Sequence, residues 1–156
     1  MNKFRWGNMG SDDVTIEENN RRQISIIGIR EMFARLAVSL IEKGETNKAQ
    51  ECINKCLEIT PAHQVFYDQS MLPLVEAMYD AGMEQKAVEV SEQMCHEYEQ
   101  ILQHYLNLKN DGIIETREPK IGVAIVGQLA HYAIMHNQNT VAQKLDKLYQ
   151  QYSEIF

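Results

Sequence analysis

Gly44 and Gly82 stand 38 residues apart, and each is followed five residues later by an alanine, Ala49 and Ala87. A glycine just beyond a helical stretch supplies the left-handed backbone that ends a helix. A small residue in the next helix lets two backbones approach closely. Apolar residues on both sides keep helical spacing. Ile29, Met32, Phe33, Leu36, Ala37, Leu40 and Ile41 fall at i, i+3, i+4, i+7, i+8, i+11 and i+12, which is one inward stripe. Thr15-Ile-Glu-Glu18 reads as a capping box, so this helix is expected from Thr15 to Lys43, with Gly28 as its weak point. A second helix from about Asn47, with Ala49, Ile53, Cys56 and Leu57 inward, closes at Thr60-Pro61.

The pattern recurs. Met71, Leu74, Val75, Met78 and Tyr79 form a helix face before Gly82, and Pro73, tolerable only in a first turn, sets the start near Ser70. Ala87, Val90, Met94, Tyr98, Ile101, Leu102 and Tyr105 mark a long helix to about Leu108. A looser third copy has Leu129, Ala130 and Ala133, a turn at His136-Asn-Gln-Asn139, then Ala142, Leu145 and Tyr149. Asn110-Asp-Gly112 breaks the chain, making 110–119 the expected flexible loop. The expectation is an all-α fold of about six helices, with hairpins at about 15–61, 68–108 and 120–154. A segment 1–14 serves as cap or joint, and 15–156 forms a single domain.

Composition excludes other classes. The chain has 156 residues, 44% hydrophobic and 24% charged, near the globular average; 8 glycines and 3 prolines leave little for an all-β sandwich. No apolar run approaches the ~20 residues that span a bilayer, and the opening Met-Asn-Lys-Phe-Arg-Trp-Gly lacks the apolar core of a secretion signal. The formal charge of −7 comes from residues 62–99, where Lys86 stands against Asp68, Glu76, Asp80, Glu84, Glu89, Glu92, Glu97 and Glu99. Such a segment repels phosphate backbones, so no nucleic-acid partner is expected. It is a solvated face or a docking surface for a basic partner.

Chemistry-bearing residues do not assemble. Cys52 and Cys56 share a helix face beside apolar neighbours and read as small buried hydrophobes. His96 and His104 are ~12 Å apart along a helix, too far to share a metal, and His131 and His136 diverge around theirs. No metal, no cofactor and no catalytic residue is expected. Gly122-Val-Ala-Ile-Val-Gly127 lacks a phosphate-loop context and fits helix packing. A remote alternative is a small hydrolase using Cys95 and His96.

Phe33, Leu36, Ala37, Leu40, Gly44, Ala49, Ile53, Cys56 and Pro61 sit at the offsets of the tetratricopeptide repeat, a helix–turn–helix unit of about 34 residues. The resemblance implies an α-α superhelix whose first helices line a concave surface. Val38, Ile41, Leu72, Glu76, Tyr79, Asp80 and His131 would then line an apolar groove with an acidic rim, suited to an amphipathic or basic peptide helix. Phe4 and Trp6 are candidate docking residues.

A wider resemblance rests on Lys3-Phe-Arg-Trp-Gly-Asn-Met9, Glu18-Asn-Asn-Arg21, Phe33-Ala-Arg-Leu-Ala37, Leu40-Ile-Glu-Lys-Gly44, Cys56-Leu-Glu-Ile-Thr-Pro61 and Leu72-Pro-Leu-Val-Glu-Ala-Met-Tyr79. Together these segments resemble the C-terminal soluble region of a family of large bacterial membrane proteins. The multi-span N-terminal part of that family is similar to protein O-mannosyltransferases. The resemblance implies a non-catalytic appendage, on the periplasmic face, that docks a polypeptide or its own membrane domain. The alternatives are a cytoplasmic location and a structural spacer without ligand. The acidic catalytic residues of that class lie in loops outside this chain, so none carries over.

Overall fold

The computed structural model describes residues 6–17, 19–20, 28–113 and 117–156. Among these there are six α-helices and no strand: α1 Ile29–Glu42, α2 Thr46–Ile59, α3 Leu72–Asp80, α4 Glu84–Asn110, α5 Arg117–Met135 and α6 Asn139–Ser153. A 3-10 turn, Gln69–Met71, leads into α3. The chain divides into two compact units, Met1–Met83 and Glu84–Phe156. The boundary falls between the two helices of the hairpin expected over 68–108.

In the first unit α1 and α2 form an antiparallel hairpin, and α3 packs against α1. The turn at Gly44 is a Schellman motif. Gly44, at φ +73°, donates its N–H to the Ile41 carbonyl, and Glu45 donates to Leu40. The same pair of bonds closes α3 at Gly82, α4 at Gly112 and α5 at Asn137. Five residues past Gly44, Gly82 and Asn137 lies a buried alanine, Ala49, Ala87 and Ala142, whereas the same offset from Gly112 is the exposed Arg117. Asp68 accepts the Ser70 N–H at 2.9 Å, and Pro73 occupies the first turn of α3, as its missing N–H requires.

Two expectations about the first hairpin are corrected. Thr15–Glu17 are irregular, residues 19–20 are helical, and α1 is described from Ile29; the expected capping-box acid Glu18 and residues 21–27 lie outside the described residues. Tertiary contacts override the local signal, since Ile16 is buried and Val14 donates to the Ser11 carbonyl in a turn. The inward stripe of α1 is Arg30, Phe33, Ala34 and Ala37. Met32 and Leu36, expected inside, are 52% and 45% exposed.

Arg30 explains the rotation. It is wholly buried, with Nη1 donating to the Phe66 carbonyl at 2.7 Å and Nη2 donating to the Val65 and Thr60 carbonyls at 2.7 and 3.0 Å. Its Nε reaches the Thr60 hydroxyl at 3.2 Å. A buried guanidinium is stable only when its donors are met; here the 60–66 loop meets them. A charged residue thus takes an interior position and draws that face of α1 inward.

In the second unit α5 and α6 form an antiparallel hairpin, and α4 packs against both. Glycine sets the approach. A Cβ on Gly122 would lie 3.3 Å from both Tyr98 and Leu102 of α4, and one on Gly127 would lie 3.0 Å from the Tyr149 ring of α6. Leu129, Ala130, Ala133, Ala142 and Leu145 fill the interior, as the third copy predicts. The last turn folds back on α4: Lys109 donates to the Ile155 carbonyl at 2.6 Å, and Phe156 stacks on Tyr152.

Candidate functional site

Six of the seven expected groove residues belong to the first unit. Val38 and Ile41 stand on α1, and Leu72, Glu76, Tyr79 and Asp80 on α3, the helices that pack together there. Val38 is 40% exposed, Ile41 and Leu72 are half-buried, and Glu76 and Asp80 are exposed. Tyr79 is only 4% exposed, so it belongs to the interior and offers almost no surface. Tyr79 shares the buried side of α3 with Leu74, Val75 and Met78, while Glu76 and Asp80 take the exposed side. His131 is exposed on α5 of the second unit.

Of the docking pair, Phe4 lies outside the described residues. Trp6 is half-buried and tilts over Phe33 of α1, with ring centroids 5.4 Å apart. From there the chain runs through three consecutive turns, closed by Met9 N–H to Trp6, Ser11 N–H to Asn8 and Val14 N–H to Ser11. Gly7 and Asn8 take φ of +60° and +61°, the left-handed pair that a tight turn of this hand requires. Gly10, at φ +90°, lies against the end of α2, where a Cβ would come 2.0 Å from the Glu58 carbonyl oxygen.

Gln64 holds this segment by its main chain. Its Oε1 accepts the Gly10 N–H at 3.2 Å, and its Nε2 donates to the Ser11 carbonyl at 2.5 Å. The Gln64 amide is buried, and both bonds are partly shielded from water. His63 Nε2 lies 3.3 Å from an Asp12 carboxylate oxygen, an exposed pair that adds little. Nothing in the sequence marks Arg30 or Gln64 as interior, since both are polar by default. The usable signal was only Gly10-Ser11, a turn pair.

In the second unit, Glu92, Cys95, His96 and Glu99 of α4 face Lys144, Lys147, Leu148 and Gln151 of α6 across a groove of about 330 Å³. Lys144 pairs with Glu92, and His96 Nε2 lies 3.0 Å from the Gln100 amide nitrogen. Burial, and then the neighbouring Glu99 carboxylate, push the Cys95 thiol above its ordinary value, with Lys144 opposing. A nucleophile needs the opposite shift. Cys52 and Cys56 are buried, and burial pushes both thiols up to about 11. Among the described residues no group of three or more His, Cys, Asp or Glu side chains is placed to hold a metal ion. Nor, among them, is any helix long and apolar enough to cross a membrane. No family model, curated protein or solved structure matches the chain.

Proposed function

We propose that this chain is a non-catalytic helical-repeat module that holds a basic amphipathic polypeptide. The observation that carries the reading is on α1 and α3: Val38, Ile41 and Leu72 reach the surface on the same pair of packed helices as the exposed carboxylates of Glu76 and Asp80. Apolar area supplies the attraction, and the carboxylates select a cationic partner. The repeated turn at Gly44, Gly82 and Asn137, each followed by a buried alanine, supports the tetratricopeptide-like description. On this reading the module sits on the periplasmic face and docks a polypeptide or its own membrane domain, as the resemblance to the soluble region of O-mannosyltransferase-like membrane proteins suggests. The raised Cys95 thiol speaks against a cysteine-dependent hydrolase.

A fluorescein-labelled, lysine-rich amphipathic peptide tests this by anisotropy against the full chain. Saturable binding is expected that weakens with salt and falls at least tenfold in Glu76→Lys plus Asp80→Lys. Binding that ignores the double charge reversal overturns the reading. The burial of Tyr79 favours a second one, a spacer without ligand, which predicts no saturable binding at all.

A further inference from the structure

The contacts around Gly10 make a place that the amphipathic-peptide reading does not use. We propose that Phe33, Glu58, His63 and Gln64 form a peptide site that reads a Gly-Ser turn, and that residues 6–17 occupy it as a built-in competitor for an outside segment of the same kind. The site reads main chain first. The Gln64 amide accepts one backbone N–H and donates to the next residue's carbonyl, a pairing available to any peptide whose turn presents those two groups. It also reads one side chain by exclusion, because the Glu58 carbonyl leaves no space for a Cβ at residue 10 and the backbone there is left-handed.

Beyond these two checks lies an aromatic anchor, Trp6 on Phe33, four residues before the glycine. An acid follows the serine, at Asp12 opposite His63. The partner chemistry is therefore an aromatic residue, then a glycine-containing turn, Ser and Asp. Residues 6–17 form no helix and make their turns within themselves. They are held at separate anchors, Trp6 on Phe33, Gly10 and Ser11 on Gln64, and the buried Ile16, with Gly10 lying against the end of α2. A tether holds such a segment at an effective concentration on the order of millimolar, so an outside peptide enters only when the native segment is loosened.

The full chain suffices for the test, because Trp6 is its sole tryptophan and its emission reports the seat. The probe is a dye-labelled peptide with the sequence of residues 6–17, followed by anisotropy. Gly10→Val in the protein should keep the helical circular dichroism, red-shift Trp6 emission and capture the probe at least tenfold more tightly than the unaltered chain. Gln64→Ala added to that variant should abolish capture, and a probe carrying the same Gly10→Val change should not bind. The proposal is overturned if the Gly10→Val chain captures no more probe than the unaltered one. It is also overturned if the added Gln64→Ala changes nothing, or if Gly10→Val melts the helices, which would make residues 6–17 part of the core. None of these readouts involves Glu76 or Asp80, so this site and the amphipathic-peptide surface stand or fall separately.

Discussion

Asn137 holds, at φ +58°, the left-handed place in the α5–α6 turn that Gly44 holds, at φ +73°, between α1 and α2. Both donate an N–H to the carbonyl three residues back, and the next residue reaches five back. The third turn is thus the same motif with a costlier residue in it.

Asn137→Gly should therefore stabilise the protein by about 0.5–1 kcal/mol, and Gly44→Ala should destabilise it by about 1–2 kcal/mol. Urea denaturation followed by circular dichroism measures both. Equal effects from the two changes would mean that the turns are not equivalent.

Arg30→Met should lower stability by about 3–5 kcal/mol, because it strands the Thr60, Val65 and Phe66 carbonyls in the interior. Arg30→Lys should recover little of the loss, since one ammonium cannot reproduce a planar fork that also sits 4.8 Å from the Tyr67 ring centroid. The denaturant midpoint reads the result. A lysine variant as stable as the original would refute the need for the fork.

The two close approaches on α5 should respond differently to alanine. Ala is better than Gly in a helix by ~1 kcal/mol. At Gly127 the obstacle is the half-buried Tyr149 ring, which can swing away, so Gly127→Ala should be neutral or slightly stabilising. At Gly122 the obstacles, Tyr98 and Leu102, are themselves buried, and Gly122→Ala should be the less stable of the pair by about 1 kcal/mol. Melting temperatures compared side by side decide it.

Thiol alkylation should follow burial. Cys95, half-buried, should react first in the native protein, more slowly than a free thiol, and Cys52 and Cys56 only on unfolding. Both buried thiols ionise near 11 when folded but lower when unfolded, so the unfolded chain holds fewer protons across that interval. Stability should then fall as pH rises from about 9 toward 11. Mass spectrometry of labelled peptides and alkaline denaturation provide the two readouts.

The all-helical build and the bends at Gly44 and Gly82 were legible in the sequence because glycine and helical periodicity are local signals. So was the packing role of Gly122 and Gly127. The irregular path of Thr15–Glu17 was not legible: Thr15–Glu18 fits a capping pattern, but Ile16 is buried in an irregular segment held by tertiary contacts. The inward face of α1 was misplaced because a stripe that begins with arginine looks polar until the loop carbonyls that satisfy it are in view. Tyr79 was assigned to the surface by repeat offset, yet it lies on the buried side of α3 with Leu74, Val75 and Met78, away from the exposed Glu76 and Asp80. Gln64 gave no signal at all, since an amide that reads another segment's backbone leaves no periodic trace.

A guanidinium keeps its proton at every pH a cell offers, and the carbonyls and hydroxyl that Arg30 grips do not ionise there either. Acidification, the usual key for histidine-based latches, has nothing to turn in this fastening. Dissolved ions are also held away from a charge with no exposed surface. Whatever breaks the grip of Arg30 on the Thr60, Val65 and Phe66 carbonyls must therefore do so by mechanical displacement.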